Sequence, residues 1–220
     1  SYSDEWTIND TYHGYACMRV GCTYVVEEAH IYNAENTCIS CGHYKDKGMA
    51  FAFNTHTSTY SVAGYTGSES EIIIPSVYNG FPVVSIGDHA FEGNKNIVSV
   101  CISEGIIELG IRAFSCSSIE TVSFAENSRL VLVGGYSFEN CTALTNITIP
   151  SSVQRIDTRA FNNCSSLKTV VLPSTLLQIG NYAFSGCGNL LNLSIPASVM
   201  SIGSDAFTGC VNLIEKEEGI

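Results

Sequence analysis

A phenylalanine recurs along most of this chain at an interval of about 23 residues, and this period constrains the fold more than any other feature. Alanine precedes five of the six phenylalanines, and glycine stands four residues before five of them. A period of this length is typical of solenoids, in which each unit buries its apolar residues against its neighbours. The chain is therefore predicted to stack about six coils, with the rings in one continuous inner column. The six positions are Phe91, Phe114, Phe138, Phe161, Phe184 and Phe207.

Each unit also contains a strand pattern of the form L-x-x-V-x-L, as in Leu167, Val170 and Leu172. This spacing is that of the strand that lines one face of a leucine-rich repeat. The glycine before each Ala-Phe pair is predicted to adopt a positive φ in a turn, and Asp157 replaces it in one unit. The predicted fold is an α/β-type solenoid, an arc of about six coils of 23 residues with a parallel β-sheet on one face.

The repeated sequence motif I-P-x-x-V-x-x-I-G-x-x-A-F-x-x-C-x-x-L resembles that of the BspA-like (Treponema-type) leucine-rich repeat family of bacterial surface proteins. The resemblance covers roughly residues 49–214 and includes the stretch IIIPSVYNGFPVVSIGDHAF at residues 72–91. One departure is the stretch ENSRLVLVGG at residues 126–135, which is predicted to bulge on the convex side. The resemblance implies a secreted or cell-surface location on a bacterium and adhesion to proteins or glycans of a host or bacterial surface.

The chain is predicted to divide into three segments. Residues 1–48 form a zinc-ribbon-like module, residues 49–66 a capping β-hairpin, and residues 67–220 the solenoid. In the second segment apolar residues alternate with polar ones on both sides of a polar turn, which is typical of a hairpin. Because a terminal coil has only one neighbour, the hairpin is predicted to cover the exposed end of the stack.

Four cysteines near the N-terminus have the spacing of two metal-binding knuckles, C-x4-C and C-x2-C. They are Cys17, Cys22, Cys38 and Cys41. Such pairs supply four soft ligands for tetrahedral zinc, and a metal would stabilise a short segment with few aliphatic residues. The segment also resembles small zinc-ribbon-like modules of gut bacterial surface proteins, so a structural zinc is predicted, with His30 and then His13 as reserve ligands. Two disulfides of a secreted protein, or free thiols without metal, are the alternatives.

The cysteines of the repeats are predicted to be structural. Equivalent residues of adjacent coils have parallel Cα–Cβ bonds about 4.8 Å apart, which exceeds the ~3.8 Å Cβ separation that a disulfide prefers. We therefore expect four of them to be buried, reduced and mutually unbonded, packed as small hydrophobes. These four are Cys141, Cys164, Cys187 and Cys210. Cys101 stands instead at an outward strand position.

Composition and motifs argue against several classes of function. The 21 acidic and 10 basic residues give a net charge of −11, which opposes binding to nucleic acid or to an anionic membrane surface. No apolar run approaches the ~20 residues that cross a bilayer. The sequence contains no phosphate-binding loop, nucleophile elbow, H-E-x-x-H or dinucleotide fingerprint, so no enzymatic activity is predicted. A zinc-dependent hydrolase with an open coordination position is a weaker alternative.

The outward face of the predicted sheet remains as the candidate binding surface. Its side chains are mostly hydroxyls and amides, which can form hydrogen bonds to a protein or glycan but lack the Trp, Tyr and Arg of strong hot spots. The polar candidates are Ser99, Glu120, Thr121, Ser123, Thr145, Asn146, Thr148, Lys168, Thr169, Asn192 and Ser194. The leading prediction is a non-enzymatic, adhesin-like interaction module. The alternative is a structural spacer or stalk of a larger surface protein, with no ligand of its own.

Overall fold

A computed structural model describes residues 48–213 in full and, as backbone only, three earlier strands: β1 (Thr7–Ile8), β2 (Tyr12–Ala16) and β3 (Val25–Ala29). These strands form an antiparallel sheet in the order β1–β2–β3. The backbone of His13 belongs to β2. The other predicted zinc ligands lie outside the described residues; they are Cys17, Cys22, His30, Cys38 and Cys41.

From residue 48 onward the chain winds through two sheets. The strands are β4 (Met49–Asn54), β5 (Thr59–Tyr65), β6 (Glu71–Ile74), β7 (Val77–Tyr78), β8 (Phe81–Ile86), β9 (Ser99–Ile102), β10 (Glu108–Leu109), β11 (Thr121–Phe124), β12 (Leu132–Val133), β13 (Asn146–Thr148), β14 (Arg155–Ile156), β15 (Thr169–Val171), β16 (Gln178–Ile179) and β17 (Ser201–Ile202). The small sheet has the order β15–β13–β11–β9–β6. The large sheet has the order β17–β16–β14–β12–β10–β8–β5–β4, and β7 pairs with β8.

The parallel sheet predicted from the L-x-x-V-x-L pattern is confirmed as the small sheet, but the α part of the predicted α/β solenoid is wrong. Residues 48–213 contain no helix, and therefore none that could span a bilayer. The reason lies in the residues two before and two after each phenylalanine. Arg159 and Asn163, for example, have φ angles of 55° and 58°, which a right-handed helix excludes. The Phe161 amide donates to the Ala183 carbonyl of the next coil at 2.8 Å, rather than within its own turn.

The predicted column of phenylalanine rings is confirmed. From Phe91 to Phe207 the centroids of successive rings lie 4.9, 5.3, 5.2, 5.2 and 5.6 Å apart, and their planes differ by only 5–6°. Tyr65 continues the column beyond Phe91, with a centroid distance of 5.9 Å. The inner rings are fully buried, whereas Phe207 in the last described coil is only partly buried. Each coil therefore covers the ring of its neighbour.

The glycine four residues before each phenylalanine allows two coils to approach closely, and its predicted positive φ is wrong. A Cβ atom on Gly134 would lie 2.1 Å from the carbonyl oxygen of Leu109, and one on Gly180 would lie 2.5 Å from the amide nitrogen of Thr158. Neither glycine has a φ in the left-handed region. Side chains are therefore excluded here by the backbone of the preceding coil.

The two ends of the large sheet differ. At one end β4 and β5 form an antiparallel hairpin, and β5 pairs with β8 of the first coil. At the other end β17 has a pairing partner on one side only, among the residues described. Ile202 in β17 is 48% exposed, whereas its equivalent in the preceding coil, Ile179, is fully buried.

Candidate functional site

The outward face of the small sheet displays two rows of side chains in register. In the first row Thr121 pairs with Ser99 on one side and with Asn146 on the other, and the row continues through Thr169 to Asn192. The second row, two residues further along each strand, contains Cys101, Ser123, Thr148 and Val171. The residues between the two rows point inward and are buried; they are Val100, Val122, Ile147 and Val170. The alternation along each strand therefore leaves both rows accessible to a partner.

Strands β11, β13 and β15 form the floor of a groove of about 500 Å³. The floor residues that face the groove are Thr121, Ser123, Asn146, Thr148, Thr169 and Val171. The chain that leaves β11 and β13 forms a wall along one side. The wall residues are Phe124, Ala125, Glu126, Pro150 and Ser151. The groove thus joins a polar floor to a wall of mixed polarity.

An insertion in one coil places part of this wall. Nine positions separate Ser99 in the small sheet from Glu108 in the large sheet, and eleven separate their partners Thr121 and Leu132 in the next coil. The two extra residues therefore lie in the turn between β11 and β12, beside the groove. The predicted bulge on the convex side is wrong, because the added residues lie at the corner where the chain leaves the small sheet.

The groove brings together five of the residues predicted from the sequence, and the other six lie around it. The five are Thr121, Ser123, Asn146, Thr148 and Thr169. Ser99 and Asn192 extend the first row at its two ends, and Ser194 is exposed beyond Asn192. Glu120, Thr145 and Lys168 form a further row just before the strands, because the Thr145 and Lys168 amides donate to the preceding member at 3.4 and 2.8 Å.

Sequence reasoning missed the wall, in particular Ala125, Glu126 and Ser151. The available signal was the interval of 24 residues between Phe114 and Phe138, which differs from the usual 23. That interval reveals one additional residue in the coil, but it does not reveal on which side of the coil the residue lies.

The groove floor carries hydrogen-bonding capacity and no charged side chain. Within the described residues, the hydroxyl groups of Thr121, Thr148 and Thr169 make no side-chain hydrogen bond. Glu126 on the wall is the charged residue that lines the groove. No histidine or cysteine is among the residues that line it. Its hydroxyl and amide groups can form hydrogen bonds with a polar surface.

The thiols of the repeats form a ladder of hydrogen bonds inside the core. The Sγ atoms of Cys141, Cys164 and Cys187 donate to the carbonyl oxygens of Phe114, Phe138 and Phe161, at 3.0, 3.1 and 3.2 Å. Burial raises the pKa of the Cys141 thiol to about 11 and that of Cys187 to about 12.

The prediction that these three cysteines are buried and unbonded is confirmed, whereas Cys210 in the last described coil is only half-buried. Within residues 48–213 no group of three or more His, Cys, Asp or Glu side chains is placed to hold a metal ion. The repeat cysteines therefore contribute to packing between coils.

A second ladder, which the sequence reasoning also missed, lies on the turn side of the solenoid. The Arg112 guanidinium lies 4.9 Å from the centroid of the Tyr136 ring, and Arg159 lies 5.2 Å from that of Tyr182. The carboxylate of Glu139 lies between the two arginines, 3.5 Å from Arg112 Nη1 and 3.8 Å from Arg159 Nη1. Because each contact joins neighbouring coils, the ladder stabilises their stacking by cation–π and ionic interactions.

Comparison with known proteins identifies the repeat and similar folds. A family model described as the BspA type leucine rich repeat region matches residues 64–131 and 131–217, in six copies. A search of curated proteins finds no match. Among solved structures, a leucine rich cell surface protein from Faecalibacterium prausnitzii is 32% identical with a TM-score of 0.65. That likeness covers 78% of this chain and 53% of the other, so this chain spans about half the length of that relative.

Two further structures have the same fold. A leucine-rich repeat protein from T. pallidum is 28% identical with a TM-score of 0.55, over 78% of this chain and 69% of that one. The pneumococcal vaccine antigen PcpA is 22% identical with a TM-score of 0.64, over 74% of this chain and 46% of that one. At that identity PcpA shows a likeness of fold alone.

Proposed function

The chain belongs to the BspA-type leucine-rich repeat family, and from this premise we propose that its solenoid binds a partner protein at the bacterial cell surface through the groove of the small sheet. One observation carries the proposal. The turn between β11 and β12 is two residues longer than the equivalent turns of the coils on either side, and it forms part of a wall beside a floor whose threonine hydroxyls make no side-chain hydrogen bond among the described residues. Insertions in repeat proteins are often found on the binding face. The F. prausnitzii relative, described as a cell surface protein, supports the location.

The chemistry of the groove favours a protein as the partner. Threonine hydroxyls and the Asn146 amide offer donors and acceptors, and Phe124 and Val171 offer apolar surface next to them. Protein interfaces combine polar and apolar area in this way, with little charge at their centre. A neutral glycan is the second candidate, because it would use the same hydroxyl and amide groups. We place the non-enzymatic, adhesin-like role of the module in this groove.

The rival proposal is a spacer that holds another domain away from the cell surface. A regular stack of coils supports it, because a solenoid is a quasi-one-dimensional element whose length is set by the number of repeats. A spacer needs neither a groove nor free hydroxyl groups. The two proposals therefore predict different effects of a bulky, charged substitution on the groove floor. The binding module would lose its partner, whereas the spacer would keep its function.

We expect Thr148→Arg to weaken partner binding strongly with little change in stability. Thr148 lies at the centre of the floor, so a long cationic side chain would fill the groove, whereas exposed substitutions usually alter stability by less than ~0.5 kcal/mol. The measurement is binding to a panel of purified extracellular matrix proteins and neutral glycans, with thermal unfolding as the check on folding. The variant should bind its best ligand at least about tenfold more weakly, a change of ~1.4 kcal/mol.

The matched control for this experiment is Thr142→Arg, which makes the same substitution at an exposed threonine in a turn outside both the groove and the large sheet. Thr142→Arg should bind like the unmodified protein. Equal losses in both variants would indicate a general charge effect, and a panel without any ligand would favour the spacer.

We also propose one structural zinc ion in the N-terminal module, held by Cys17, Cys22, Cys38 and Cys41. The proposal rests on the spacing of the cysteines. It is also supported by the antiparallel pairing of β2 with β3, because Cys17 and Cys22 belong to the segment that joins these two strands. A knuckle that joins two strands is a common arrangement in zinc ribbons.

Elemental analysis of protein purified without added metal should give about one zinc per chain, and Cys38→Ser should lose most of it. Chelation should leave the unfolding of the solenoid unchanged, because the core described within residues 48–213 is built from the hairpin and the repeats themselves. Protein without zinc whose intact mass is four hydrogen atoms below the reduced value would instead establish two disulfides. Cys101→Ser is the control, and it should retain the metal.

A further inference from the structure

A row of mostly apolar side chains runs across the coils at the start of the strands of the large sheet. Successive backbone hydrogen bonds of 2.7–3.0 Å align the row, because the amide of each member donates to the carbonyl of the preceding one. The row begins at Val84 and continues through Ile107, Val131, Gln154, Leu177 and Met200. Ile107, Val131, Leu177 and Met200 are 36, 38, 40 and 76% exposed. The exposed Gln154 interrupts the row and leaves a pair of apolar side chains on each side. Exposed apolar side chains that are grouped in this way favour a contact with another molecule.

A second row lies directly beside it, one residue further along the chain and within the strands, and it carries charge. Strand pairing aligns Ser85, Glu108, Leu132, Arg155, Gln178 and Ser201. Glu108 and Arg155 flank Leu132 symmetrically, each one strand away and therefore ~4.8 Å from it along the row. The arrangement places a negative charge, an apolar centre and a positive charge at equal spacing.

This pattern is self-complementary. Two copies of the chain can face each other across a two-fold axis that runs parallel to β12, midway between their large sheets. This axis reverses the order of the coils in the second copy, so each row lies opposite the same row of the other copy. Glu108 then lies opposite Arg155 of a second molecule, Arg155 lies opposite its Glu108, and Val131 and Leu132 meet their own copies. Interfaces with two-fold symmetry require this reciprocity, in which residue i contacts j and j contacts i.

We propose that two copies of this chain form a closed dimer through the outward face of the large sheet. Packing of two sheets face to face at ~10 Å buries the apolar row, and the two reciprocal ion pairs fix its register. Charge complementarity favours a second copy over an unrelated partner, because a single chain provides both members of the pair. Arg155 also contacts Asp157, with 2.5 Å between Nη2 and Oδ2, but its side chain remains 49% exposed and can reach a second carboxylate.

Charge exchange tests the proposed register. Each of Glu108→Arg and Arg155→Glu places like charges opposite each other, so each variant alone should dimerise at least about tenfold more weakly than the unmodified protein. An equimolar mixture of the two should recover the dimer, because the new arginine of one variant would then face the new glutamate of the other, and the two unchanged side chains would also pair. The molecular mass is measured by light scattering over a range of concentrations, and circular dichroism verifies that each variant is folded.

Two exposed valines on different sheets provide a second, independent test. Val131→Asp places a charge on the proposed axis and should yield monomers, whereas Val171→Asp on the small sheet should remain dimeric. If the groove binds a partner as proposed above, Val171→Asp should weaken partner binding and Val131→Asp should not, because Val171 lines the groove and Val131 does not. An unmodified protein that is monomeric at every concentration, a folded mixture that does not recover, or equal effects of the two valine variants would overturn the dimer.

Discussion

Replacing Phe161 by alanine is expected to lower the free energy of unfolding by about 3–5 kcal/mol. Its ring is fully buried and lies 5.2 Å from both the Phe138 ring and the Phe184 ring. Removal of the ring would open a cavity between two coils, and neither neighbour can move in to fill it, because each is held by its own stacking contact on the far side. Equilibrium unfolding in urea, followed by circular dichroism, measures the loss.

Phe207→Ala is the matched control for this variant. Phe207 has one ring neighbour, 5.6 Å away, and it is only partly buried in the last described coil. The substitution removes the same atoms but opens a site that solvent already reaches, so its cost should be less than half that of Phe161→Ala. Equal costs would show that contact between coils contributes little and that each coil is stabilised on its own.

The thiols of Cys141, Cys164 and Cys187 should resist alkylation in the native protein. At pH 8 the pKa of about 12 for Cys187 leaves ~1,000-fold less thiolate than the ordinary value of 9.0 would, and only the thiolate reacts. Burial also excludes the reagent from all three residues. Labelling with iodoacetamide, analysed by peptide mass, should therefore be slower by at least three orders of magnitude in native than in denatured protein.

Cys101 serves as the internal reference, because it lies in the outward row of the small sheet and is only partly buried. It should react in the native protein within the normal time of an alkylation experiment. Rapid native labelling of Cys164, or a peptide that contains two linked repeat cysteines, would contradict the assigned register and the hydrogen bond to the Phe138 carbonyl.

Much of the fold follows from the period of the sequence. Apolar residues such as Leu167 and Val170 recur at strand spacing in each unit, and they specify which face of the small sheet points inward. Phe161 and Cys164 recur once in each coil, so the ring column and the unbonded thiols follow from stacking alone. The polar residues in the groove were predictable for the same reason, because alternation along a strand fixes their direction.

The large sheet and the two turns of each coil did not follow from the period. A strand of two residues, such as Gln178–Ile179, is too short to show an alternating pattern. The left-handed positions include Arg159 and Tyr182, which lack the usual glycine or asparagine signal, so the segment resembled a helix or a simple turn. The regular spacing of Gly180 and its equivalents suggested a special φ, whereas the cause is the backbone of the adjacent coil.

The wall of the groove escaped prediction for a different reason. The turn between β11 and β12 is two residues longer than its equivalents. The segment before it, from Glu108 to Thr121, is one residue shorter than the equivalent segment from Leu132 to Asn146 in the next coil. The interval between phenylalanines therefore records only the net change of one residue. The position of an insertion within a coil depends on strand register, which only the three-dimensional arrangement reveals.

That insertion also bears on how such a protein can change over generations. Both strands beside the enlarged turn keep their partners, since β11 still pairs with β9 and β13, and β12 with β10 and β14. The corner between the two sheets thus accepts residues while the adjacent strands keep their neighbours, although β11 pairs with β13 only at Thr121 and Asn146. The residues of these corners can be added, removed or replaced during evolution, as in the variable loops of an antibody. The protein can then acquire new ligands while its framework stays the same.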